Sequence, residues 1–217
     1  MKKPLLAILL MSCFFIVAQD KAPTLPRVSV RANVGIPKVT SSEALRNSFS
    51  GIMSSDASFN YRLFSNFFVG LGYEYTYYKT QKYFRDKNIN TTMQAHAGYI
   101  KLGYDHFFSE TGFATFALNT GFGRNNYTRI VYKSDSLINK YPREFSNTFV
   151  EPVIGLYFLV EPNFAIGGHL SYNYSFSKFD PRYPGMDKWF DYEKVSNKNT
   201  IGMITFGFGF YYGFNGK

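Results

Sequence analysis

Along residues 67–78, FFVGLGYEYTYY, every second position is apolar or aromatic: Phe67, Val69, Leu71, Tyr73, Tyr75 and Tyr77. Between them lie Phe68, Gly70, Gly72, Glu74, Thr76 and Tyr78. A period of two predicts a strand with one greasy face and one small or polar face. The pattern recurs along the chain. Val28, Val30, Ala32 and Val34 alternate with Ser29, Arg31, Asn33 and Gly35, and Ala57, Phe59, Tyr61 and Leu63 with Asp56, Ser58, Asn60 and Arg62. Ile100, Leu102 and Tyr104 oppose Lys101, Gly103 and Asp105, although the stretch from Ala95 to Tyr99 alternates less cleanly and suggests a bulge. Further strands are predicted around Ala114–Gly123, Glu151–Val160, Phe164–Phe176 and Thr205–Phe214, which brings the number to eight.

The connections alternate as regularly as the strands. Short turns fall at Ser65-Asn66, Ser109–Gly112 and Glu161–Asn163, and long polar connections at about 37–50, 80–91, 125–146 and 179–198. Long and short links in strict alternation are the order of a closed up-and-down barrel in an outer membrane, with tight periplasmic turns and four extended extracellular loops. Ten strands would result if part of the third or fourth long connection paired. A soluble barrel or sandwich also alternates, but its outward face needs large polar residues. Here the face opposite the apolar one holds glycine, alanine, serine and threonine. Phe64, Phe67, Phe107, Phe108, Phe113, Phe164 and Phe214 gather near the short turns, and Tyr75, Tyr77, Tyr127, Tyr174 and Phe176 near the long connections. Two such groups are expected to form the aromatic belts of the two interfaces.

Composition narrows the reading. Aromatic residues make up 20% of the 217 positions, yet mean hydropathy is only -0.20; aromatic wealth without overall hydrophobicity suits alternating strands. The chain opens MKKPLLAILLMSCFFIVAQD, with a basic start, an apolar run and a small residue at Ala18, the form of a secretory signal peptide over 1–18. A periplasmic arm over 19–26 and a barrel over 27–217 would follow. The sole cysteine, Cys13, lies in the leader, in a stretch only loosely like a lipoprotein cleavage box, so no disulfide is expected in the mature chain. Loss of Lys2 and Lys3 takes the balance from 24 basic residues against 15 acidic to 22 against 15, a net charge of about +7.

With these strands in place, the sequence resembles the small outer-membrane barrels of the outer-membrane protein A transmembrane-domain and outer-membrane protein X type, over nearly the whole mature chain. Thr205, Gly207, Phe210, Tyr212 and Phe214 of the last strand are similar to the assembly signal that such barrels present to the insertion machinery, although Asn215-Gly216-Lys217 follow where the commonest form ends on the aromatic residue. The resemblance implies residence in the outer membrane of a Gram-negative cell, a monomer, and contact with outer-membrane lipids and lipopolysaccharide. No peptidoglycan-binding domain is expected after the barrel, because the sequence stops three residues beyond Phe214.

Candidate chemistry is sparse. Arg31, Asp56, Arg62, Glu74, Lys101, Asp105, Glu151 and His169 fall on the inner face, where a charge network would fill an eight-stranded lumen; Glu74 and Lys101 are expected to pair. A structural or surface-interaction role follows, with a small diffusion pore as one alternative. His169-Leu170-Ser171 looks like the His-x-Ser pair of outer-membrane lipid A deacylases, with Glu151 as the nearest acid, which makes a hydrolase a second alternative. Both residues share the inward face, away from lipid, and a structural histidine is the expectation. His96 and His106 share no metal-ligand spacing with it, so neither metal nor cofactor is expected, and no glycine cluster completes a nucleotide fingerprint. Nucleic acid is not an expected partner. In the long connections, Lys82, Arg85 and Lys87, with Arg124, Arg129, Lys133, Lys140 and Arg143, offer positive charge to lipopolysaccharide phosphates. Arg182, Tyr183, Trp189, Phe190 and Tyr192 form the candidate contact for an extracellular protein or glycan.

Overall fold

Alternation becomes a ring because each strand spends its backbone groups on two neighbours and has none left over at an edge. The computed structural model describes residues 25–41, 43–81, 89–133, 136–180 and 200–214. Its elements are β1 (Val28–Val39), a short helix α1 (Glu43–Ser48), β2 (Phe49–Phe64), β3 (Phe67–Thr80), β4 (Ile89–Phe107), β5 (Gly112–Lys133), β6 (Ser136–Glu161), β7 (Phe164–Lys178) and β8 (Thr200–Phe214). Neighbours in sequence are neighbours in space, and β8 returns to β1 to close the barrel. The closing ladder is antiparallel and runs from Val28 opposite Phe214 to Val39 opposite Met203.

Side-chain parity holds along the wall except at the β2 irregularity between Gly51 and Met53. Leu71, Phe122, Phe206 and Phe208 point outward and are 67%, 76%, 70% and 72% exposed, while Arg31, Ser58, Asn60, Lys101 and Asp105 point inward and are buried. The exposed apolar residues form a continuous band that is unfavourable in water and matched to hydrocarbon. The β2–β3 turn is the tightest link. Phe64 pairs with Phe67 across it, and Ser65 takes a positive φ of 48°, the left-handed conformation that two-residue hairpin turns require.

Four details depart from the sequence expectations. β4 keeps unbroken register against both β3 and β5, so there is no bulge at Ala95–Tyr99. Much of the third long connection is strand: β5 and β6 stay paired out to Lys133 opposite Ser136, as extensions of existing strands and not as a ninth and tenth. From Phe122 to Lys133 this hairpin runs on for about 36 Å at roughly 3.3 Å per residue. The first long connection contains α1. Finally, Phe107, Phe113 and Tyr127 do not join the aromatic belts but are buried inside. Phe107 is in phase with Lys101 and Asp105, and Phe113 and Tyr127 with Thr115 and Asn119, so parity outweighs proximity to an interface.

Candidate functional site: the filled lumen

The inward positions build the interior in layers. At the short-turn end, Leu25, Phe107, Phe113, Tyr157, Ala165 and Tyr211 form a buried apolar cluster. Phe113 stacks on Tyr157 with ring centroids 5.2 Å apart and meets Tyr211 edge-on at 5.6 Å, both favoured aromatic geometries.

Above it lies a buried ionic knot. Asp105 accepts two hydrogen bonds from Arg31, at 2.9 and 2.7 Å, one from Arg62 at 3.2 Å, and one from the Thr115 hydroxyl at 2.7 Å. A second Arg31 nitrogen donates to Thr115 at 2.9 Å. The guanidinium also lies over Phe68, 4.2 Å from the ring centroid, and 5.3 Å from that of Tyr211. One carboxylate thus serves two arginines through their terminal nitrogens, while the Nε of each is buried without a hydrogen-bond partner, so the knot depends on Asp105 for its charge balance.

The middle layer is polar. Asp56 accepts from Asn33 at 2.9 and 3.1 Å and from the Tyr99 hydroxyl at 2.8 Å. Lys101 Nζ donates to Ser58 at 3.2 Å and stands 4.0 Å from Asp56. Glu74 accepts from Ser54 at 3.1 Å and Thr76 at 3.0 Å. The expected Glu74–Lys101 pair is therefore absent. Register puts Lys101 opposite Gly70 and Glu74 opposite Ala97, so the two side chains lie at different heights, and the lysine turns to Asp56 instead. Glu151 accepts from Asn119 at 3.0 Å.

His169 and Ser171 both face this interior and are each only 5% exposed. His169 lies opposite Gly155 on one side and Gly207 on the other, and its Nδ1 has no hydrogen-bond partner. His169 Nδ1 thus makes no bond to the Ser171 hydroxyl, the coupling that a nucleophile–base pair requires. No group of three acidic, histidine or cysteine side chains among the described residues is arranged to hold a metal.

Toward the long-connection end, a cavity of about 30 Å³ lies beside Glu74, Asn125, Asn147 and Asn173, room for about one water. Val39, Leu45, Phe49, Tyr78, Met93, Tyr127, Phe179 and Ile201 then form a second apolar cluster that closes this end, with Leu45 supplied by α1. The interior is a polar layer between two hydrophobic stoppers.

The remaining candidates divide cleanly. Thr205 and Gly207 of the proposed assembly signal face inward, and Phe210, Tyr212 and Phe214 face outward. Arg124 points outward and is ion-paired with Glu144. Lys82, Arg85, Lys87, Arg182, Tyr183, Trp189, Phe190 and Tyr192, together with the leader over 1–18, lie outside the described residues. Reading charges alone missed Asn33, Tyr99, Thr115 and Tyr157, which tie the network together and share the inward parity of the charged residues.

Apolar outside, filled inside, and closed by eight antiparallel strands in sequence order, the chain has the fold of the small outer-membrane barrels. It is similar to the crystal structure of Neisserial surface protein A, at 15% identity over 88% of this chain and 99% of that one, with a TM-score of 0.52. The attachment invasion locus protein Ail of Yersinia pestis follows at 15% identity over 87% of this chain and 100% of its own, TM-score 0.46. The N-terminal β-barrel domain of Pseudomonas aeruginosa OprF gives 14% identity over 87% and 100%, TM-score 0.42. No protein-family model and no curated protein matches the sequence.

Proposed function

We propose that this chain is exported by its leader and inserted into the outer membrane as a sealed, monomeric barrel. Its role is structural or one of surface interaction, exercised through what it displays outside the cell. The observation that carries this reading is the double closure of the lumen, with a buried aromatic cluster at each end of a hydrogen-bonded polar layer. A conducting pore needs a continuous wet path, and here the two apolar clusters and the hydrogen-bonded layer between them stand across it. The short turns face the periplasm, and the extended β5–β6 hairpin stands clear of the membrane with the basic loops, where lipopolysaccharide and an extracellular protein or glycan are the partners. The last strand engages the barrel-assembly machinery during insertion. Catalysis is no part of this role, since His169 and Ser171 are sealed from lipid.

Planar-bilayer recording of the refolded protein tests it. The wild-type barrel is expected to give no discrete conductance steps. Steps in the wild type of the size seen when Phe113→Ala and Tyr211→Ala are combined would overturn the sealed-barrel reading in favour of the diffusion pore.

A further inference from the structure

The barrel wall has one seam that stops early. β1 and β2 are paired at only eight positions, Val28 opposite Tyr61 through Gly35 opposite Ser54, although β1 continues to Val39 against β8. Pro37 contributes to this, because it has no N–H to offer a partner strand. On the other lip, the β2–β3 register shifts between Gly51 and Met53, an irregularity that leaves both Ile52 and Met53 outward and exposed.

The chain beyond each lip leans away from the seam. The Thr40 and Ser41 amides donate to the Gly202 carbonyl on β8. Gln81 binds the Arg46 and Phe49 carbonyls from the β3 side. The lips still touch at one point: a Cβ on Gly51 would lie 1.8 Å from the Pro37 carbonyl oxygen. That contact floors the opening, which is therefore a notch in the outer wall and not a passage to the lumen.

The notch encloses about 290 Å³, near the lower bound of small-ligand sites. Its lower lip is apolar and level with the lipid-facing band: Ile36 is 66% exposed and lies opposite Phe206 in register. Two residues above Ile36 on the same outward face is Lys38, and Arg46 in the last turn of α1 is also exposed. Among the described lining residues there are two cations and no acid. An apolar floor at hydrocarbon level under a basic rim is complementary to one kind of molecule, an acyl chain ending in a phosphate.

We propose that this notch seats one phosphorylated lipid of the surrounding leaflet, with its acyl chain against Ile36 and Ile52 and its phosphate between Lys38 and Arg46. The proposal rests on the membrane residence inferred above. It adds a specific lipid site on the β1–β2 seam, apart from the basic residues of the second and third long connections.

Native mass spectrometry tests it on the full barrel refolded in neutral detergent with equal amounts of phosphatidylglycerol and phosphatidylcholine. One phosphatidylglycerol is expected to be retained at least five-fold over phosphatidylcholine. Lys38→Ser combined with Arg46→Ser is expected to abolish the preference, and Arg124→Ser, on the β5 wall, to leave it intact. Equal retention of the two lipids, or an unchanged preference in the double variant, would overturn the site. Displacement of the lipid by millimolar inorganic phosphate alone would also overturn it, by reducing it to a simple anion site.

A second readout does not depend on the cations. In a Trp189→Phe background, tryptophan at Ile52→Trp is expected to be quenched at least two-fold more by phosphatidylglycerol brominated on its acyl chain than tryptophan at Phe122→Trp. Equal quenching contradicts the proposal. The two levels of inference fail differently. A chain that never yields a heat-modifiable, micelle-bound species sinks the membrane reading itself, whereas a folded barrel without lipid preference sinks only the notch.

Discussion

Replacing Asp105 by alanine is the most severe test of the interior. The carboxylate is fully buried and accepts four hydrogen bonds, three of them from arginines. Its loss leaves Arg31, 2% exposed, with only Thr115 as a hydrogen-bond acceptor. The ring contacts with Phe68 and Tyr211 remain but return only about 0.5–2 kcal/mol. Removing one partner of a buried pair costs about 3–5 kcal/mol, and Arg62, 11% exposed, recovers part of its loss because it keeps the Asn66 side chain as an acceptor at 3.5 Å. We therefore expect Asp105→Ala to lower barrel stability by about 3–4 kcal/mol. Arg31→Met should cost less, about 1–3 kcal/mol, because Asp105 keeps Arg62 and Thr115. The Arg31→Met, Asp105→Ala double variant should fall short of the summed single losses by at least about 1.5 kcal/mol, since each removes the same interaction. Urea unfolding of the barrel in lipid vesicles, followed by far-ultraviolet circular dichroism and by the unheated gel band, reads all three. A loss below about 1 kcal/mol for Asp105→Ala, or strict additivity, would refute the knot as an energetic unit.

Other expectations use the same assay. Leu71→Arg places a charge in the middle of the lipid-facing band and should cost about 2–4 kcal/mol; a cost near zero would mean that this face meets water. Ser65→Gly relieves the left-handed turn and should stabilise the barrel by about 0.5–1 kcal/mol, with a destabilisation arguing against the two-residue hairpin. Gly207→Ala should cost about 1–3 kcal/mol, because a Cβ there would lie 2.0 Å from the Val34 carbonyl oxygen at the closing seam. His169→Ala and Ser171→Ala should leave the release of acyl chains from lipopolysaccharide at the level of protein-free vesicles, as should the wild type; release by the wild type that both substitutions abolish would establish the hydrolase.

Period two carried most of the architecture, because a strand between lipid and a crowded lumen must alternate, and eight such segments with alternating link lengths leave few topologies. It failed where alternation stops being informative. In the outer halves of β5 and β6 the alternation of apolar and small residues stops, so 125–133 and 136–146 read as polar loop although they are paired strand. The six residues of α1, EALRNS, are too few to show a helical period. The Glu74–Lys101 pairing failed for another reason. Parity tells which face a residue occupies, whereas its height depends on register, and counting seven residues from the nearest phenylalanine ignores the stagger that barrel closure imposes. The stopper residues Phe113, Tyr157 and Tyr211 were legible by parity, but an inward aromatic among glycines gains meaning only when the opposite wall is known.

One face of each strand is expected to meet lipid and the other a filled lumen, and nitroxide scanning of residues 67–78 reads both faces along a single strand. Cys13 is the only cysteine in the sequence, so with the leader removed single cysteines can be introduced along β3 without background. In lipid vesicles, labels at Leu71, Tyr73 and Tyr75 are expected to show high accessibility to oxygen and low accessibility to a water-soluble nickel chelate, while labels at Gly72, Glu74 and Thr76 are shielded from both. Alternation in which the Leu71 and Tyr73 labels are shielded and the Gly72 and Thr76 labels meet the aqueous chelate would invert the barrel and contradict the account.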